Sequence, residues 1–309
     1  MMKNLFQNFR IFSLVFLSNL LILFVVPNKV WAQGKAGVDF EILFLSNVNG
    51  MIQNCHCGSP ALGGLGRLAS VVQKKRHSNP HLLFIDGGDF LNPYSYPLLN
   101  KSILAIYQTM KPDIIQLGEQ DYCEGKSFLT AWPYLATHCL ATNYQADGVP
   151  SRRFEKIKKR EQQSVVILAY LDRSSFAYAL SSEKYFNFDE DLFQKMYNKF
   201  SKDSYLVVIF HGSGPALTKF TLKFPAIRLV LFAHEQCEQS PSNTSPAIIC
   251  GGSDARFLND ICLKWSPQTK SYSVSVERIL IREEMAQDRR IQPIINEFNT
   301  KNRKNEKEN

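Results

Sequence analysis

The chain has 309 residues, is 45% hydrophobic and 21% charged, and carries a net charge of +8. These values describe an ordinary globular chain with enough apolar residues for a substantial core, and they exclude a low-complexity one. The basic excess is too mild to argue for nucleic acid, and no Arg-rich stripe with interleaved aromatics supports such a partner.

Lys3 and Arg10 form a basic start, residues 11–26 run apolar, and Val30-Trp31-Ala32 fits a small-residue cleavage site before Gln33. Residues 1–32 are therefore expected to be a signal peptide, and the mature protein to be exported to the periplasm or the outside. The alternative is an uncleaved leader that anchors the chain, although the apolar run is shorter than the roughly 20 residues a spanning helix prefers. No cysteine stands directly after the run and no second run of spanning length exists, so no membrane association is expected beyond this leader. Seven cysteines suit an exported protein, and the odd count leaves at least one outside any intrachain pair.

Past the leader, short apolar runs alternate with helix-like stretches, which predicts an α/β layered fold. Strands are expected at residues 40–46, 82–85, 113–117, 139–143, 165–171, 205–210, 227–232, 248–250, 260–265 and 271–281. Helices are expected at 63–76, 103–110 and 189–200, with a last one at 283–302 ahead of a charged, frayed tail. Residues 152–163 read as an exposed charged hairpin, and 237–246 as an open Ser/Pro-rich loop that Cys237 and Cys250 flank and could bridge. The domain division expected is a leader at 1–32, one domain at 38–285, and a C-terminal helix with tail at 286–309.

Polar residues recur where these strands end. They are Asn47 and Asn49, then Asp89, then Glu119, Gln120 and Asp121, then Asn143, His211, His234 and Gln236. Ligands of α/β sheets bind at that edge, because the loops there converge. Taken singly, each is more simply a turn residue or a packed strand-end histidine. Their repetition after successive apolar strands is the stronger signal.

Their order resembles the calcineurin-like metallophosphoesterase superfamily, in its 5′-nucleotidase branch. The family's Asp-x-His-Gly stands here as Asn47-Val48-Asn49-Gly50. Its Gly-Gly-Leu-x-Arg is kept as Gly63-Gly64-Leu65-Gly66-Arg67, and its Gly-Asp as Gly88-Asp89. Its Gly-Asn-His-Glu-Phe becomes Gly118-Glu119-Gln120-Asp121-Tyr122. Its later His-Gly is His211-Gly212, and its Gly-His-x-His is Ala233-His234-Glu235-Gln236. Cys55-His56-Cys57, just ahead of the Gly-Gly-Leu motif, resembles a Cys-x-Cys sub-branch. The resemblance spans residues 40–285, and it implies a four-layer α/β/β/α sandwich and two metal ions bridged by Asp89.

One implied metal position would use Asn47, Asn49, Asp89 and Gln236. Three of those are amides, poor substitutes for carboxylate or imidazole, so that position is expected to be empty or weak. The other would use Asp89, Glu119, His211 and His234, a set suited to one zinc, manganese or iron ion. The implied catalytic histidine falls on Gln120, which cannot act as a general acid. Two readings follow. One is a hydrolase acting on a small phosphate ester through a single metal. The other is a non-catalytic descendant that binds a metal, ligand or partner. Cys55, Cys57 and Cys123 lie on loops expected at the same edge, where they could form a thiolate metal site or a disulfide pinning those loops.

Overall fold

A computed structural model describes residues 38–54, 60–159, 162–237 and 245–308. The expected leader, Cys55, Cys57 and residues 238–244 of the Ser/Pro-rich loop lie outside the described residues. In chain order the strands are β1 (Phe40–Leu45), β2 (Leu83–Asp86), β3 (Ile114–Ile115), β4 (Tyr144–Ala146), β5 (Glu155–Ile157) and β6 (Ser164–Leu171). They continue with β7 (Phe186–Phe188), β8 (Ser204–Gly212), β9 (Ile227–His234), β10 (Ala247–Cys250), β11 (Phe257–Ser266) and β12 (Ser271–Leu280). The helices are α1 (Leu65–Ser78), α2 (Pro97–Met110), α3 (Lys126–Thr130), α4 (Pro133–His138), α5 (Glu190–Phe200), α6 (Gly214–Lys223) and α7 (Gln292–Glu308).

The strands form two five-stranded sheets, ordered β12-β11-β1-β2-β3 and β10-β9-β8-β6-β5, beside a two-stranded ribbon of β4 and β7. β1, β2 and β3 run parallel in the first sheet, as do β6, β8, β9 and β10 in the second. Parallel strands buried on both faces read as continuous apolar runs, which is why β1 and β8 are hydrophobic nearly throughout. Phe40, Ile42 and Phe44 of β1 share a core with Val207 and Ile209 of β8, so the two sheets face each other. The alternate residues Leu43 and Leu45 of β1 pack with Leu68 of α1 and Ile103 of α2. Leu206 and Val208 of β8 pack instead with Phe193 of α5 and Phe220 of α6. Burying each such side chain contributes about 1.5–3 kcal/mol.

Local chemistry sets the helix ends. Asp189 caps α5 by accepting from Leu192 N at 2.8 Å, and Glu190 and Asp191 fill the first turn, where the helix dipole favours negative charge. α2 starts at Pro97, six residues before its apolar pattern predicts, because a proline at the first turn costs no hydrogen bond. α7 begins at Gln292 rather than at 283. Asp288 N donates to Gly66 O at 2.8 Å, and the Asp288 carboxylate accepts from Arg290 N at 2.9 Å, which holds the preceding residues in a turn. Its far end stays helical to Glu308, where a frayed tail was expected.

Two strand expectations shift. Residues 113–117 yield only the two paired residues of β3, and 139–143 yield isolated bridges from Cys139 to Ile115 and from Leu140 to Arg152. Among the described residues, β3 is the last strand on that side of the sheet. The charged stretch expected as a hairpin supplies β5, which pairs antiparallel with β6.

Candidate metal centre

Parallel strands deliver their carboxyl ends to one edge, and the chemistry-bearing residues collect there. Asn47 follows β1, Asp89 follows β2, and Glu119 opens a short 3-10 turn after β3. His211 sits near the end of β8 and His234 closes β9, with the register pairing Gly212 to His234. Asn47 (φ 54°), Asn49 (φ 53°), Asp89 (φ 59°) and His234 (φ 77°) take left-handed backbone conformations at this edge, as do Asp254 (φ 56°) and Ala255 (φ 53°) in the turn after β10. Such residues are uncommon, and they gather where a site over-determines the backbone.

One ligand atom each from Asp89, Glu119, His211 and His234 lies within 4.8 Å of every other. His211 Nε2 is 2.8 Å from Glu119 Oε2 and 3.3 Å from Asp89 Oδ2. His234 Nδ1 is 3.1 Å from Glu119 Oε1 and 3.7 Å from Asp89 Oδ2. His211 Nδ1 lies 2.8 Å from Gly87 O. A carbonyl only accepts, so the Nδ1 proton is committed there and Nε2 is the nitrogen turned to the cluster. His234 Nδ1 is buried without a hydrogen-bond partner, because its approach to Glu119 lacks hydrogen-bond alignment. An orphaned imidazole nitrogen aimed at two buried carboxylates fits a metal ligand. Two carboxylates with two imidazoles suit zinc, manganese or iron.

Charge is strongly coupled in this cluster. Burial opposes a charged His211, but Asp89 and Glu119 outweigh it and hold the imidazole well above its ordinary range. Burial likewise opposes charge on His234, yet the nearby Asp89 and Glu119 carboxylates lift it to about 9. Burial would raise Asp89, and the two histidines overcome that and hold it well below the usual carboxylate range. Protons on the imidazoles thus balance the carboxylates where an ion would otherwise do so.

The amide positions are engaged differently. Asn47 Nδ2 donates to Gly252 O at 2.8 Å and to Glu235 O at 3.4 Å, while its Oδ1 accepts from His234 N at 3.1 Å. Asn49 Nδ2 donates to Asp254 Oδ1 at 3.0 Å. Gln236 is exposed just past β9. Gln120 clasps Asp89 twice, through Nε2 to Oδ2 at 3.1 Å and through its backbone N to Oδ1 at 3.3 Å. Cys123 joins no ligand cluster among the described residues. Burial pushes its thiol up to about 12, with the Asp121 and Glu124 carboxylates adding to the shift. The bridge between Cys237 and Cys250 is present.

Two supporting residues carry roles that the sequence reading does not assign. Asp121 accepts from four backbone N–H groups, those of Asp89 (3.0 Å), Phe90 (3.0 Å), Leu91 (3.1 Å) and Gly118 (2.9 Å). It ties the Asp89 loop to the Glu119 loop, and its place in the Gly118–Tyr122 motif was the available signal. Asp86 accepts from Tyr107 Oη at 2.6 Å and from Gly88 N at 2.8 Å, and burial pushes it up to about 7. Above the cluster opens a cleft of about 620 Å³, floored by Glu119, Gln120 and His234 and walled by Tyr94, Tyr185 and Lys184.

These features define an α/β protein with a buried carboxylate–imidazole cluster at the carboxyl edge of its parallel strands. No protein-family model matches the sequence, and no curated protein matches it. Solved structures do. The sulfate thiohydrolase SoxB of Thermus thermophilus, solved in complex with glycerol, superposes with a TM-score of 0.70 at 13% identity, covering 86% of this chain and 61% of that one. The NAD nucleotidase of Haemophilus influenzae gives 0.68 at 13% identity, covering 85% and 60% respectively. The calcineurin-like phosphoesterase YfkN of Bacillus subtilis gives 0.64 at 16% identity, covering 85% of this chain and 97% of that one. The chain therefore has the calcineurin-like metallophosphoesterase fold, in the form found in 5′-nucleotidases, and spans about three fifths of the first two of these structures.

Proposed function

We propose that this protein is exported, binds one divalent metal ion at Asp89, Glu119, His211 and His234, and acts through it on a small phosphate ester. The carrying observation is the buried, unpartnered His234 Nδ1 facing Asp89 and Glu119. When bound, the ion supplies Lewis acidity at the floor of the cleft. His211 is oriented by Gly87 O, and Gln120 and Asp121 hold Asp89 and its loop in place. Two ligand carboxylates neutralise a divalent ion, so attraction for an anionic ester falls to Lys184, the one lysine or arginine among the described residues lining the cleft. Export rests on the basic start, apolar run and cleavage site of residues 1–32. Among the described residues, no helix is long and apolar enough to cross a membrane.

A second reading, metal binding without turnover, is favoured by Gln120. It stands at the implied acid position and has no proton to give a leaving group. Metal analysis of the purified mature protein, paired with phosphate release from a generic ester in added manganese or zinc, separates the two. One bound ion with release that Asp89→Ala abolishes supports the hydrolase. One bound ion without release leaves the binding protein. No bound ion sinks both.

A further inference from the structure

Asn47 occupies a position where the resemblance implies a ligand of a second metal, and the simplest view is that a ligand has been lost. Its surroundings argue otherwise. The side chain is 1% exposed and every polar atom of it is used. Two carbonyls, Gly252 O and Glu235 O, face Nδ2, and one N–H, that of His234, faces Oδ1. Donors and acceptors are on opposite sides, so the orientation of the amide is unambiguous. The Asn47 backbone adds two bonds, donating to Gly88 O at 2.9 Å and accepting from Asp254 N at 2.8 Å. Asn47 therefore joins the Asp89 loop, the β10–β11 turn and the His234 backbone in one place.

We infer that Asn47 is a positioning residue for His234, and that an amide is required at this position rather than merely tolerated. This rests on the single-metal reading above. His234 holds φ 77°, a conformation unfavourable for a side chain with a Cβ, and Asn47 Oδ1 is the side-chain acceptor that satisfies its N–H there. An aspartate cannot replace it. A carboxylate oxygen would face Gly252 O at the distance now spanned by a 2.8 Å hydrogen bond, with no proton between them. The neighbouring Asn49 fastens the same turn through Asp254, so the space of the second ion is spent on a hydrogen-bonded clasp.

The test is a comparison of Asn47→Asp and Asn47→Ala with the unaltered protein, each stripped with chelator and titrated with Co²⁺, reading stoichiometry, affinity and the visible spectrum. Both variants are expected to bind at most one ion, at least about tenfold more weakly, with an altered spectrum because His234 is displaced. Thermal melting of the stripped proteins separates this from general unfolding. In a His234→Ala background, Asn47→Ala is expected to produce no further loss of affinity, since the residue acts through that histidine. Should Asn47→Asp destabilise the fold, Asn47→Ala and the double variant still decide the matter. Binding of two ions by Asn47→Asp, or wild-type affinity and spectrum in Asn47→Ala, overturns the inference. No cobalt binding by the unaltered protein overturns the single-metal reading instead.

Discussion

Two neighbouring regions at the same sheet edge have gone opposite ways. Around Asp89, Glu119, His211 and His234 the ligand atoms remain crowded within 4.8 Å, and one imidazole nitrogen is left unpartnered. Around Asn47 and Asn49 the side chains instead hold backbone and a turn carboxylate. A metal site asks for buried ligand atoms turned toward one point, whereas a clasp asks for amides whose donors and acceptors are all consumed. Asn47 meets the remaining cluster through the His234 backbone N–H, while Asn49 holds the adjacent turn through Asp254.

That contrast can be broken at its centre. His211→Ala removes a buried ligand and the partner of two carboxylates, and it is expected to reduce bound metal from one ion to near none, measured by elemental analysis. Gly118→Ala should do nearly as much without removing a ligand. A Cβ there would overlap Asp89 Oδ1 and lie 2.5 Å from His211 Cε1. Metal should be lost, together with about 1–3 kcal/mol of stability by denaturant unfolding. Asp121→Ala leaves four buried N–H groups without their acceptor, and a stability loss of about 3 kcal/mol or more is expected, with weakened metal binding.

The remaining tests sharpen the comparison. His234 in the metal-free protein is raised to about 9, and a metal ligand must be deprotonated. Apparent affinity should therefore fall by up to about tenfold per pH unit below 9, a slope readable in competition with a fluorescent chelator. In the stripped protein the sign for stability is the reverse. The stabilisation from charged His234 is complete below the unfolded pKa of 6.5 and is lost as pH rises through about 9. The smallest effect belongs to the outer part of the clasp. Asn49→Ala removes one partly buried 3.0 Å hydrogen bond and should cost about 1 kcal/mol, leaving metal stoichiometry unchanged.

The parallel strands were legible because burial on both faces demands continuous apolar runs, as in β1 and β8. The ends of α2 and α7 were not, because Pro97 and the Asp288–Arg290 turn act against the apolar period used to place them. The four clustered residues were legible as polar groups ending successive strands, and the resemblance grouped them as one ligand set whose atoms the fold brings within 4.8 Å. The roles of Asn47 and Asp121 were not, since their partners are backbone groups that leave no mark on side-chain identity. Asn47 bonds to Gly252, 205 positions away, and Asp121 to the Asp89–Leu91 loop. By itself the sequence determined which groups could meet a metal. Only the tertiary structure decided which of them are already spoken for, because hydrogen-bond satisfaction depends on what the fold brings to each donor and acceptor.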